Sequence, residues 1–344
     1  MTTEVPYKDF SREVFERSAA RSTPLVKAHF EITYRCNLHC VHCYTDPFNA
    51  PAALREELSY AEILKILDDL FAHGVLWLTL SGGEAMVHPR FKDIYRAAKA
   101  RGFIVSLLSN ASVVTDAVAD FLADDPPFQL EVSVHGATAS VYDRVTQVPQ
   151  AHALFRQGLR RLLDRKLPVR LKTNALTLNQ KDLGALRAFV EDLGLEFNLY
   201  TVIYPRLNGD LSSTTYRLTP DEIVALEQPA RQASHGSRPV DARLYRCGCG
   251  TSSVTINPYG WLRPCTFTTE PRYNLRELSV REAFDQLAAA IDAARYTGES
   301  ACRQCPVHVY CEKNPAMALV EAGSVEAPVP HFCELAYKRH DLSI

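Results

Sequence analysis

Three cysteines, Cys36, Cys40 and Cys43, sit in the run Cys-Asn-Leu-His-Cys-Val-His-Cys-Tyr directly after an apolar segment. Three thiolates in one loop suit an iron–sulfur cube, because each binds one iron and the fourth iron stays open to an exogenous ligand. The same residues also fit a structural zinc site completed by His39 or His42, or three packed cysteines. A second motif, Ser81-Gly82-Gly83-Glu84, follows the next apolar segment. Paired glycines let a backbone approach closely and Glu84 adds a fixed negative charge, which suits an ammonium-bearing ligand; such a run is also an ordinary tight turn. Seven of the ten cysteines fall after residue 246: Cys247, Cys249, Cys265, Cys302, Cys305, Cys311 and Cys333.

The elements that must position these residues read as a βα repeat. β-type runs recur at Val26–Thr33, Leu76–Leu80, Phe103–Ser109, Gln129–His135, Pro168–Asn174 and Glu196–Ile203, with helix-like segments between them. Ser59 with Glu62 and Thr219 with Glu222 form capping boxes, Pro220 sits at a first helical position, and Gly74, Gly102 and Gly194 close helices. Tyr60–His73, His88–Arg101, Asp116–Ala123, Gln150–Lys166 and Asn179–Leu193 are the expected crossover helices. In the fourth strand Glu131, Ser133 and His135 share one face, and in the fifth Arg170, Lys172 and Asn174 do. A doubly wound sheet buries both faces, so one polar face favours an α/β fold with a six-stranded partial (βα)6, TIM-like barrel. Both motifs then lie at the carboxyl ends of strands, where such folds place their sites.

With 344 residues the chain is long enough for about two domains. Residues 1–26 are expected to be an N-terminal extension, 27–227 the barrel, 228–246 a Pro-, Ser-, Gly- and Arg-rich linker, and 247–344 a smaller cysteine-rich domain. The 38 Lys and Arg against 40 Asp and Glu give a net charge of -2, which offers no drive toward nucleic acid or an anionic membrane. No stretch approaches the roughly 18 apolar residues of a membrane span, and the polar start is no signal peptide. A cytoplasmic location is expected, where cysteines stay reduced and their clustering signals metal or redox chemistry.

The Cys-x3-Cys-x2-Cys spacing after the first strand, followed by Ser-Gly-Gly-Glu after the second, resembles the signature of radical S-adenosylmethionine (SAM) enzymes. The resemblance implies that Cys36, Cys40 and Cys43 hold a [4Fe–4S] cluster whose open iron is chelated by SAM. Gly82, Gly83 and Glu84 would receive the SAM amino end, and Asn110 and Ser133 would make further SAM contacts. Arg144 and Lys172 are plausible partners for the SAM carboxylate, with a surface arginine and an ion pair to Glu131 as the plainer readings. The carboxyl-terminal cysteines resemble a SPASM (twitch-type) domain, which implies one or two auxiliary iron–sulfur clusters. Cys302, Cys305, Cys311 and Cys333 are assigned to one, with zinc as the alternative. Where the family pattern has another Cys this chain has Glu312-Lys313-Asn314-Pro315. Cys247, Cys249 and Cys265 therefore supply three thiolates to a second cluster, which has an open iron, recruits Asn314 or a substrate atom, or is absent.

The same resemblance implies hydrogen abstraction from a ribosomally made precursor peptide, forming a crosslink or an oxidised residue. The expected partners are that peptide, a separate leader-binding protein, because residues 1–26 are too few for a leader-gripping module, and a flavodoxin or ferredoxin-type reductant. Tyr200, Tyr204, His135 and Arg206 lie near strand ends; His135 and Arg206 are the catalytic candidates, His135 as a proton acceptor. The competing readings are a dehydrogenase or epimerase of a small molecule such as an aminosugar, and a non-catalytic iron–sulfur or zinc protein.

Overall fold

The computed structural model of the chain describes residues 25–45, 49–227 and 242–342. Most of the expected linker, 228–241, and most of the expected N-terminal extension, 1–24, lie outside the described residues. Six strands follow one another in the order of the chain: β1 Lys27–Thr33, β2 Trp77–Gly82, β3 Ile104–Ser109, β4 Gln129–Ser133, β5 Val169–Asn174 and β6 Phe197–Tyr200. Each pairs in parallel with the next, and β6 does not return to β1, so the barrel stays open.

The helices form where their caps and apolar spacing dictate. α1 (Pro51–Glu56) is short, and α2 (Tyr60–Ala72) opens on the reciprocal Ser59–Glu62 box and buries Ile63, Ile66, Leu67 and Leu70. α3 (Phe91–Ala100) starts three residues after the expected His88, because the Glu84 side chain caps a tight turn at Ala85–Val87 first. α4 (Asp116–Asp124) follows β3. The helix expected at Gln150–Lys166 is α6 (Ala151–Asp164), and a further helix that was not expected, α5 (Ala139–Thr146) on a Thr138 cap, precedes it; Gln147 and Gln150 between them both take positive φ. α7 (Leu183–Asp192) and α8 (Pro220–Leu226) complete this half, α8 on the expected Thr219–Glu222 box.

Strand register carries the polar face across the sheet. Glu31 stands opposite Ser81, Glu131 opposite Arg170, and Ser133 opposite Lys172, while the alternate residues Leu130, Val132, Val134 and Leu171 are buried in the core. Because all six strands are parallel, their carboxyl ends share one edge.

The sheet then continues into the cysteine-rich region. β7 (Ser253–Ile256) pairs in parallel with β1, and β8 (Trp261–Arg263) and β9 (Tyr273–Asn274) extend it antiparallel, giving nine strands. α9 (Val280–Ala293), α10 (Pro315–Ala322) and α11 (Pro330–Asp341) follow. Arg339 of α11 is buried against Glu227 and Glu312, tying the end of the chain to the end of α8.

A second buried charge pair joins the two halves through the sheet. Arg263 of β8 donates to Glu31 of β1, with 3% and 0% of the respective side chains exposed. Tyr34 and Tyr44 donate to the same carboxylate at 2.9 and 2.5 Å, and Arg263 also donates to the Tyr34 oxygen at 2.7 Å. Removing one partner of such a pair strands a buried charge, at about 3–5 kcal/mol. Arg263→Met is therefore expected to lower the unfolding free energy by about that amount in urea titrations, with Glu31→Gln added to Arg263→Met recovering most of it.

Candidate active site

The thiol loop hangs between β1 and α5. His39 and Val41 donate their backbone N–H groups to the Thr146 and Val145 carbonyls at 2.9 Å, and Leu38 and Val41 are buried beneath it. At its start, Glu57 accepts from the Thr33 hydroxyl at 2.6 Å and pairs with Arg35 at 2.8 Å. At its end, Tyr44 reaches Glu31 and its carbonyl accepts from Leu207 at 2.8 Å.

Cys36, Cys40 and Cys43 are partly buried free thiols. Burial pushes Cys36 up to about 12 and Cys40 well above the ordinary thiol range, and each of the two also feels Cys43. Three thiolates therefore coexist here only with a cationic partner, and iron is one. Among the described residues no group of three or more His, Cys, Asp or Glu is arranged to hold a metal ion. Cys36, Cys40 and Cys43 lie on one loop and influence one another, and such thiols suit a cube in which each sulfur binds its own iron.

The glycine motif serves this loop directly. A Cβ on Gly82, where φ is +142°, would stand 1.9 Å from the Thr33 carbonyl oxygen, and one on Gly83 would stand 2.4 Å from that of Arg35. Gly83 and Glu84 donate their N–H groups to those two carbonyls, at 2.9 and 2.8 Å. The Glu84 carboxylate is buried and accepts from the Asn110 N–H at 2.7 Å, the Met86 N–H at 3.1 Å and the Ser109 hydroxyl at 3.1 Å. Glu84 was expected to offer a fixed charge to a ligand; its carboxylate is engaged by donors from β3, the loop after β3 and its own turn, and burial pushes it above the ordinary carboxylate range.

Asn110 belongs to the same network. It donates to Asn37 at 3.0 Å, accepts from the Ser112 N–H and hydroxyl, and holds its amide 3.9 Å from Cys36 Sγ. His135, past the end of β4, is buried with Nε2 3.9 Å from Cys40 Sγ and its ring 5.2 Å from that of His42. Burial holds His135 well below its ordinary range and His42 at about 4, so both rings are neutral. Lys172 pairs with Glu131 at 3.0 Å, and its charge reaches His29, His42 and His135 inside the barrel. Ser133 lies beside Lys172 in register, and Arg144, in the last turn of α5, is exposed. Arg206 follows β6 in a loop closed by Asp210 at 3.4 Å, near enough to His42 for its charge to be felt.

The later cysteines form two groups. Cys249 hydrogen-bonds with both Cys247 and Cys265, which pushes it up and holds Cys265 down. Cys333 feels Cys302 and Cys305, and Cys311 feels Cys333. Asn314, one expected option for completing the first group, caps α10 through Met317 at 2.8 Å and hydrogen-bonds Tyr204. The Tyr204 ring lies flat on Phe267 at 3.5 Å, and Tyr44 meets Phe267 edge-on at 5.2 Å, so aromatic contacts run from the thiol loop to the Cys265 segment.

Sequence reading passed over Glu31, Arg263, Glu57 and Asn37. Only Glu31 left a signal, a carboxylate between Phe30 and Ile32 in an apolar strand.

Residues 30–193 match the model of the Radical SAM superfamily. This part of the chain is a radical SAM domain. The chain is 24% identical over 321 residues to the antilisterial bacteriocin subtilosin biosynthesis protein AlbA of Bacillus subtilis, covering 88% of this chain and 70% of that one. It is 24% identical over 288 residues to the AdoMet-dependent heme synthase of Methanosarcina barkeri, covering 74% and 81%. Its fold matches that of Streptococcus suis SuiB, solved with precursor peptide SuiA, at a TM-score of 0.67 and 15% identity over 94% of this chain and 80% of that one. A radical SAM domain makes this an enzyme that uses SAM and a [4Fe–4S] cluster. Among the described residues no helix is long and apolar enough to cross a membrane.

Gly82→Ala puts a methyl group into the Thr33 carbonyl at a φ that L-residues rarely adopt, so it is expected to cost about 3 kcal/mol or more in chemical denaturation. Gly74→Ala, with open space around it, is expected to cost only its backbone strain, about 1 kcal/mol.

Proposed function

We propose that this is a cytoplasmic radical SAM oxidoreductase that modifies a ribosomally made precursor peptide, abstracting hydrogen to form a crosslink or an oxidised residue. The observation that carries the peptide is the likeness to a bacteriocin biosynthesis protein over 88% of the chain, which takes in the cysteine-rich half as well as the barrel. The fold shared with a protein solved with its precursor peptide supports it over a similar span.

Cys36, Cys40 and Cys43 are the proposed cluster ligands. Held by these three cysteines, a cluster would supply the electron for reductive cleavage of SAM to methionine and a 5′-deoxyadenosyl radical. The chain's own residues set the stage at the shared sheet edge. Gly82 and Gly83 hold the backbone of β2 against the thiol loop, Glu84 locks β3 to it, and Asn110 stands over Cys36. Ser133 and Lys172 face the barrel interior as SAM contacts, and Arg144 is retained as a candidate only if a ligand draws it inward. The Arg206 loop is held against Tyr44 by the Leu207 N–H. His135 is the proposed proton acceptor on position alone: it is neutral with no partner for Nδ1 among the described residues, although burial disfavours its protonated form. Cys302, Cys305, Cys311 and Cys333 hold one auxiliary cluster and Cys247, Cys249 and Cys265 a second, incomplete one. A leader-binding protein and a flavodoxin or ferredoxin-type reductant complete the set of partners.

A second reading, modification of a small molecule, draws support from the likeness to a heme synthase over 74% of the chain. Anaerobically reconstituted protein with SAM and dithionite is expected to form 5′-deoxyadenosine, and Cys36→Ala, Cys40→Ala and Cys43→Ala together to abolish it. Deuterium appearing in 5′-deoxyadenosine from a labelled precursor peptide supports the peptide reading. Turnover that stays unlabelled with every peptide encoded nearby, and becomes labelled with a small molecule, overturns it.

A further inference from the structure

Lys313 is a lysine in an unusual place. It is 9% exposed, and its ammonium donates to Cys302 Sγ at 3.3 Å and to the Ala327 carbonyl at 3.0 Å, with the Tyr296 ring 5.6 Å away. Its backbone N–H hydrogen-bonds the Cys311 sulfur, and its charge reaches Cys311 and Cys333. Three of the four cysteines in this group thus face one cation. Glu326 also feels that charge, but its carboxylate is engaged by the Thr297 N–H and hydroxyl at the surface.

Burying an ammonium against neutral thiols costs several kcal/mol with little return. Against four thiolates around an iron–sulfur cluster the balance reverses, because that assembly carries net negative charge and its sulfurs accept charge-assisted hydrogen bonds. The residues present therefore fit an anionic cluster, and the lysine is the part of the site that a count of ligands omits.

We propose that Lys313 tunes the redox potential of the cluster held by Cys302, Cys305, Cys311 and Cys333: by donating to Cys302 it favours the more negative, one-electron-reduced state. The inference rests on the proposed reading of these four cysteines as cluster ligands. The step it governs adds one electron from the reductant to the cluster; no covalent bond forms or breaks, and the lysine keeps its proton in both states. Lys313 is a positioning residue, acting through Cys302 on whatever this cluster donates to or accepts from.

The test is an EPR-monitored redox titration of the full-length reconstituted protein carrying Cys36→Ala, Cys40→Ala and Cys43→Ala. The relevant signal is the one that Cys333→Ala removes. Lys313→Met is expected to leave the iron in place and shift this signal to lower potential, about tenfold in the ratio of reduced to oxidised cluster at a fixed potential, or 59 mV for one electron. Lys313→Arg keeps the cation and is expected to stay close to the parent. Loss of this iron in Lys313→Met but not in Lys313→Arg overturns the tuning role, since the charge then serves to hold the cluster. Equal potentials in all three proteins, or equal iron loss in both variants, overturn it while leaving the cluster reading intact. Zinc at these cysteines, or no signal that Cys333→Ala removes, overturns the cluster reading and the proposal with it.

Discussion

The Glu31 carboxylate is the point from which the rest of the arrangement hangs. It is buried in the middle of the first strand, where an unpaired charge is untenable, and three groups from three places answer it: Tyr34 at the start of the thiol loop, Tyr44 at its end, and Arg263 from the far side of the β1–β7 junction. Satisfying one charge therefore fixes both ends of the loop that carries Cys36, Cys40 and Cys43. It also welds the cysteine-rich half to the barrel.

The parallel sheet does the remaining gathering. With six strands running one way, the loops after β1, β2, β3, β4 and β6 all open on one edge, so that Tyr44 and Leu207, far apart in the chain, meet there. Gly82 and Gly83 bring the β2 turn against the thiol loop, Glu84 binds β3 to that turn, and Asn110 returns to Cys36. The edge is stiff by construction, as radical chemistry requires of a site that must hold its reacting atoms in place. The likeness to AlbA and SuiB extends beyond this edge into the second half, which in this chain joins the barrel strands in one sheet of nine strands among the described residues.

Much of this was legible from residue types and spacing. The six strands, the Ser59 and Thr219 caps and the polar inner face follow from local patterns, and the motif cysteines and glycines announce themselves because few other arrangements use them. Two kinds of feature stayed hidden. α5 was not expected: it is eight residues long, and it ends where Gln147 takes a positive φ that side-chain type does not advertise. The nine-stranded continuity, the Glu31–Arg263 pair and the contact of Lys313 with Cys302 join residues 232 and 11 positions apart through tertiary packing, to which periodicity is blind. The internal engagement of the Glu84 carboxylate also stayed hidden, because it depends on where β3 ends.

The most direct measurement is the iron and sulfide content of anaerobically reconstituted wild-type protein beside the variant with Cys36, Cys40 and Cys43 all changed to alanine. The account predicts that the variant loses about four irons and four sulfides while retaining those of the later cysteines. Zinc in place of iron, or equal iron in the two proteins, would contradict it.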